Sequence, residues 1–281
     1  MQLETKIYQK ENNSKITKLI KASAKDFFGS HFLAKQLASR DIKSQYRQSY
    51  LGIIWAFITP VSAAFIWIFL NTTGTIKLSD TGIPYPVYVF SGTLIWSIIT
   101  ESINSPTSNT NAARGIMTKI NLPKEALVLS GIYKLLFNSA IKTGLLVILI
   151  FAFGVGFYWS LLLLPLAILG AILFGTTIGL FITPLSLIYK DIGKIISMGL
   201  GLLMYITPVV YVIPKNGLMK TIMELNPFTA IILTSRDIAV GSNPEYLFHF
   251  LWILVISTFL FFIGLVFYRI SIPVIVERLS A

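Results

Sequence analysis

The sequence predicts an all-α membrane protein with six transmembrane helices. An amphipathic interface helix precedes them, and short re-entrant outer helices lie between spans five and six. Three observations carry that prediction. Hydrophobic residues make up 54% of the 281 and charged residues only 12%, against roughly a quarter charged in a soluble domain. The apolar residues are not scattered: 48–76, 81–100, 143–189, 195–214 and 246–268 contain no Asp, Glu, Lys or Arg. The cations gather in alternate intervals between those runs.

A span needs about 20 apolar residues, so the runs near 51–71, 85–104, 195–213 and 247–268 each supply one. As a single helix, 143–189 would reach about 70 Å, far beyond one bilayer. "GVGFYWS" at 154–160 supplies a break with interfacial aromatics, which divides this region into spans near 135–157 and 161–188. Residues 1–50 hold ten Lys/Arg, and Arg114, Lys119, Lys124, Lys134, Lys190, Lys194, Arg269 and Arg278 fall on the same side of a six-span chain. Lys77, Lys215, Lys220 and Arg236 fall on the other side. Cytoplasmic loops carry the Lys/Arg excess, so both termini are expected in the cytoplasm. The net charge of +11 then reads as topology, with no nucleic-acid partner. The first 30 residues lack an apolar core and mix Lys with Glu, which predicts no cleavable signal peptide.

Residues 1–24 read as a loose polar tail and 25–281 as one transmembrane domain. Over 25–50, Phe28, Phe32, Ile42, Tyr46 and Tyr50 share a stripe roughly 80° wide at helical spacing, with Arg40, Lys43 and Arg47 beside it. Two readings stand here. The stretch is either a topology signal with accidental periodicity, or a helix in the headgroup layer with rings down and cations toward lipid phosphates; Gly29-Ser30 would kink it. Between spans two and three, "NAARGIMTKI" (111–120) predicts a short helix ended by Pro123, which cannot donate the helix bond. It is either a docking knob for a soluble partner or a plain connection. "GLMKTIMEL" and "FTAIILTSRDIAV" predict two short outer helices, with the turn between them forced by Asn226-Pro227. Such broken segments are tolerated only against protein or a water-filled cavity.

Ala171, Gly175 and Gly179 form a small-residue face for close helix approach. Glu101 and Lys142, near the cytoplasmic ends of spans two and three, either snorkel separately or pair. No phosphate-binding G-x-x-x-x-G-K-[ST] string occurs. Cysteine is absent, and the two histidines, His31 and His249, lie far apart in sequence. A metal site, a catalytic cluster or a cofactor held by this chain is therefore not expected, and the chain reads as a conduit powered from elsewhere.

"RDIKSQYRQSYLGIIWAFITP" (40–60) resembles the lead-in to the first span of ABC-2-type permease subunits that export polysaccharides such as O-antigen, capsule or teichoic acid. The pattern is carried by Arg40, Asp41, Lys43, Tyr46, Arg47, Leu51, Gly52, Trp55 and Pro60. "GIPYPVYVFSGTLIWSII", "TKINLPKEALVLS", "YKDIGKI", "ITPVVY" and "LNPFTAIILTSRDIAVG" follow in the family's order, with Lys190 where an Arg is usual. The resemblance runs from about residue 25 to the end. It implies a permease in the bacterial cytoplasmic membrane that moves lipid-linked polysaccharide. Two copies would pair and dock two cytoplasmic ATP-binding subunits, which would hold the ATP and Mg. The interface helix would act through Arg40, Asp41, Lys43, Tyr46 and Arg47. The coupling segment would act through Arg114, Ile116, Lys119, Pro123, Lys124 and Glu125. Aromatic faces suit sugars, so Trp55, Phe65, Trp67, Tyr88, Trp96, Tyr205 and Tyr211 are candidates for lining the path. The alternatives are an ABC-2 permease for a small molecule such as a drug, or a polytopic glycan-modifying enzyme.

Overall fold

The computed structural model describes residues 16–47, 50, 54–74, 81–117, 119 and 122–280. Among them it is all-helical, with no strand. Ten α-helices follow in order: α1 (Ile16–Gly29), α2 (His31–Arg47), α3 (Trp55–Thr72), α4 (Tyr85–Met117), α5 (Glu125–Ala152), α6 (Leu164–Ile188), α7 (Lys190–Leu203), α8 (Leu218–Leu225), α9 (Pro227–Val240) and α10 (Leu247–Ser280). By length and composition, three helical segments among the described residues suffice to cross a membrane: Glu125–Ala152, Trp159–Ile188 and Leu247–Glu277.

α4 and α6 form the spine. Small residues bring them together: a Cβ on Gly175 would lie 2.6 Å from Ser102 Cβ and 2.7 Å from the Ile99 carbonyl oxygen. One on Gly179 would lie 2.3 Å from the Ile103 oxygen. In a bilayer no water-driven force favours helix pairing, so close backbone approach supplies it. α10 packs on the far side of α6, and α5 on the other side of α4. α9 inserts between α4, α6 and α10, where Phe228 meets Trp96 and Phe174 at 5.6 and 5.1 Å between ring centroids.

Several expected boundaries move. Residues 16–24, read above as tail, belong to α1, whose Ser23 and Phe27 are buried. The Phe27 ring packs edge-on to Phe261 of α10 at 5.5 Å, a contact that holds α1 against α10. The single interface helix becomes α1 and α2 meeting at Ser30. There the bond ladder continues, from Ser30 N to Asp26 O and from Ala34 N to Ser30 O, both 2.9 Å. α4 does not stop near 104 but runs through Pro106 to Met117, so the coupling segment continues that helix instead of forming a separate one. Thr110 Oγ1 donates to the Pro106 carbonyl at 2.6 Å, beside the proline. α5 begins at Glu125, ten residues before its expected start at 135.

The largest departure is in the fifth apolar run, expected to be helical to 213. α7 ends at Leu203, a 3-10 turn covers Met204–Ile206, and 207–211 is non-helical. Thr207, Pro208, Val209 and Val210 are nonetheless buried. Buried backbone polar groups need partners, and side chains from two other helices supply them. Arg236 of α9 donates to the Pro208 and Val209 carbonyls at 3.2 and 2.6 Å. Tyr85 and Tyr88 of α4 donate to the Val210 and Tyr211 carbonyls at 3.2 and 3.0 Å. α8 and α9 occur where two short outer helices were expected. Asn226 caps α9 by accepting from Phe228 N at 3.0 Å and donates to Thr207 Oγ1 at 2.9 Å, while Pro227 fills the first helical position, where no N–H is required.

Candidate functional site

The sequence-predicted site residues comprise a cluster around α2 and the α4–α5 connection, and aromatic rings spread along the bundle. α2 lies across α5 with its Ala34 and Ala38 buried and its Phe32 exposed, as is Phe28 at the end of α1. Leu33 and Leu37 of α2 pack with Ile116 and Met117 against Ala113, Leu122, Ala126 and Leu127. This small apolar cluster clamps α2 directly to the α4–α5 connection.

Ion pairs reinforce the clamp. Asp41 accepts from Arg40 Nη2 at 2.7 Å and from Lys134 Nζ of α5 at 3.0 Å, and Lys134 also bonds Asn109 of α4. Burial pushes the Asp41 carboxyl up, but the bonds from Arg40 and Lys134 outweigh it and hold it below the usual carboxylate range. Arg269 of α10 bonds Asp26 of α1 and, at 2.9 Å, the buried Glu125 of α5. Tyr268 is buried beside it, hydrogen-bonded to Thr110 of α4.

The predicted coupling residues therefore divide. Lys43 and Arg47 are exposed on α2 and, with Arg40 and Ser44, line a groove of about 410 Å³. Lys119 and Pro123 are exposed at the connection. Ile116 is packed in the clamp, and Arg114 is half-buried. Lys124 is half-buried and donates to the Leu122 carbonyl at 3.0 Å; burial draws its ammonium pKa down. Glu125 is buried and faces inward to Arg269. The Tyr46 side chain lies outside the described residues, as do Leu51 and Gly52.

The aromatic candidates divide too. Trp55, Phe65 and Tyr205 are exposed, with Phe65 stacked on Phe69 at 6.5 Å. Trp67 and Tyr211 are half-buried, and the Tyr211 hydroxyl bonds the Tyr205 carbonyl. Tyr88 and Trp96 are enclosed within the chain by α9. They belong to the core and offer no free ring.

Sequence reading missed the residues that join elements: Asp26, Asn109, Lys134, Arg236, Tyr268 and Arg269. The cations among them were counted only as topology charges. Glu101 and Lys142 do pair, with Lys142 also donating to Ser97 Oγ at 3.1 Å. A signal was present in α4, where Ser97, Glu101, Asn104 and Ser108 repeat at helical spacing (i, i+4, i+7, i+11).

Long apolar helices and a spine of small residues define an integral membrane protein of the helical transporter kind. The chain belongs to the ABC-2 type transporter family, whose model it matches over residues 33–240. It is similar to an O-antigen export system permease protein RfbA of Myxococcus xanthus, 26% identical over 206 residues that cover 72% of this chain and 78% of the relative. Two O-antigen export system permease proteins RfbA of Klebsiella pneumoniae are 24% and 23% identical, covering 75% of this chain and 81% and 82% of the relatives.

Proposed function

We propose that this chain is the membrane permease of an ATP-driven exporter that moves lipid-linked polysaccharide across the bacterial cytoplasmic membrane. The observation that carries the reading is the similarity to three O-antigen export permeases over most of both chains. α3, α4, α5, α6 and α10 supply five crossings and α7, continued by the 3-10 turn and the non-helical 207–211 segment, supplies the sixth, with both termini cytoplasmic. The 33-residue α4 is about 50 Å long, whereas roughly 20 residues cross the hydrocarbon. Its last three turns therefore project toward the cytoplasm and carry the α4–α5 connection with them. α8 and α9 form the re-entrant outer element. The permease works as a homodimer, because a hydrated glycan needs a wider path than one copy encloses.

Each copy docks one cytoplasmic ATP-binding subunit, which binds ATP and Mg. The exposed Lys119 and Pro123 at the connection, with Lys43 and Arg47 on α2, meet that subunit. The clamp of Leu33, Leu37 and Ile116 transmits its movement to the interface helix, whose cations also meet membrane lipids. The exposed rings of Trp55 and Tyr205 remain candidates for the sugar path. Deleting the gene should remove a surface glycan and leave its lipid-linked precursor inside the cell. The tagged full chain should also copurify with an ATP-binding protein. Unchanged surface glycan on deletion overturns the reading.

A further inference from the structure

Between α4 and α5 lies a second polar feature, a crevice of about 570 Å³, within the range of small-ligand sites. Ser97, Glu101, Asn104 and Ser108 line it from α4, and Lys134, Asn138 and Lys142 from α5. The α5 residues recur every four positions, so two polar ladders face each other on adjacent helices. Gln45 of α2 and Trp55 of α3 form its rim. Two apolar spans need no such ladders to pack, and ionisable groups at membrane depth are costly enough to mark function.

The hydrogen-bonding groups of the crevice identify its guest. Lys134 is held by Asp41, which it shares with Arg40, and by Asn109, while Lys142 is held by Glu101 and Ser97. Both ammonium groups thus already have acceptors within the protein. Apart from Gly131 and Leu135, the remaining lining from α4 and α5 is amide and hydroxyl, which exchange hydrogen bonds with alcohols in both directions. Asn104 and Ser108 are exposed to the crevice, and Trp55, 54% exposed at the rim, offers a flat ring for the apolar face of a pyranose. We propose that the α4–α5 crevice is a saccharide-binding subsite contained within one protomer. It takes one or two sugar residues of the exported glycan on the cytoplasmic side. This inference rests on the exporter reading above and adds a site to it.

The test places the photo-crosslinking amino acid benzoylphenylalanine at Ser108 of the full chain, in cells making their native glycan, with a control at the exposed Leu166 on α6. The Ser108 adduct is expected to stain for carbohydrate and lose the stain on periodate treatment, while the Leu166 adduct carries phospholipid alone. Filling the crevice with Asn104→Leu and Ser108→Leu should cut the carbohydrate-positive adduct, read from a crosslinker at Gln45, on the order of tenfold, with the chain still in the membrane. A phospholipid-only adduct at Ser108, or none, in cells that still export glycan overturns the subsite and leaves the exporter reading intact. Undiminished surface glycan in the deletion strain overturns both.

Discussion

The guanidinium carbon of Arg236 lies 3.7 Å from the centroid of the Tyr88 ring, with both side chains buried. This contact joins α9 to α4 and holds the non-helical 207–211 segment between them. Arg236 is enclosed by partners: the Tyr88 face, the Pro208 and Val209 carbonyls, and Ser91 Oγ at 3.3 Å. A planar fork with five donors reaches all of these at once, which a lysine ammonium does not.

Arg236→Ala should therefore strand buried carbonyls and open a cavity, at a cost of about 3 kcal/mol or more. Arg236→Lys should recover only part of that loss. Thermal unfolding of the purified full chain measures both, and a lysine variant as stable as the parent contradicts the clamp.

Gly92 lies opposite the same arginine. A Cβ there would sit 2.0 Å from the Val209 oxygen and 2.2 Å from Arg236 Nη2. Gly92→Ala should force α4 away from the 207–211 segment and cost about 1–3 kcal/mol. Gly175→Leu, at the α4–α6 contact, should prevent stable assembly of the bundle. Yield and melting temperature after detergent extraction check both expectations.

Glu101 and Lys142 should respond unequally to mutation. The Lys142 side chain is 4% exposed and that of Glu101 41% exposed. Glu101→Gln leaves a buried ammonium without its carboxylate, whereas Lys142→Met leaves a carboxylate that can hydrate. Removing one partner of a buried pair is strongly destabilising, so Glu101→Gln should be the more damaging change. The double variant should recover much of the loss. Equal single-variant effects would place both groups in water.

Asp41 makes the attachment of α2 sensitive to pH. Its folded pKa is depressed by Arg40 and Lys134 after burial is offset. The tie is therefore fully present above the unfolded carboxyl value of about 4 and is lost as pH falls through the lower folded value. Asp41→Asn should remove the same tie at neutral pH, with an effect of about 1 kcal/mol because the pair is partly exposed. Hydrogen exchange over α2 should rise in Asp41→Asn at pH 7 and not in Lys43→Gln, whose parent side chain is exposed.

Much of the helical architecture was legible before any coordinates. Charge-free runs and a break at 154–160 locate α3, α6, α10, most of α4 and the end of α5, because burial in lipid requires apolar residues whatever the neighbours are. Asn226-Pro227 locates the α8–α9 turn, since the proline lacks an N–H and the asparagine caps. The end of α7 was not legible. Residues 207–211 are as apolar as a span, and only Arg236, Tyr85 and Tyr88, distant in sequence, satisfy their backbone outside a helix. The aromatic candidates divide for a related reason: composition does not distinguish a ring in a core, such as Trp96, from one at a surface, such as Trp55.

By itself, the order of apolar runs, cations and glycines determined a helical membrane protein and pointed to its family, because both depend on local composition and spacing. Only the tertiary structure decided which charges are joined. Lys134 meets Asp41 and Asn109, Arg269 meets Asp26 and Glu125, and Arg236 lies over Tyr88, each pairing residues far apart along the chain. Such pairings follow from helix packing, where a Cβ on Gly92 or Gly179 would collide with backbone, and no sequence period encodes that three-dimensional fit.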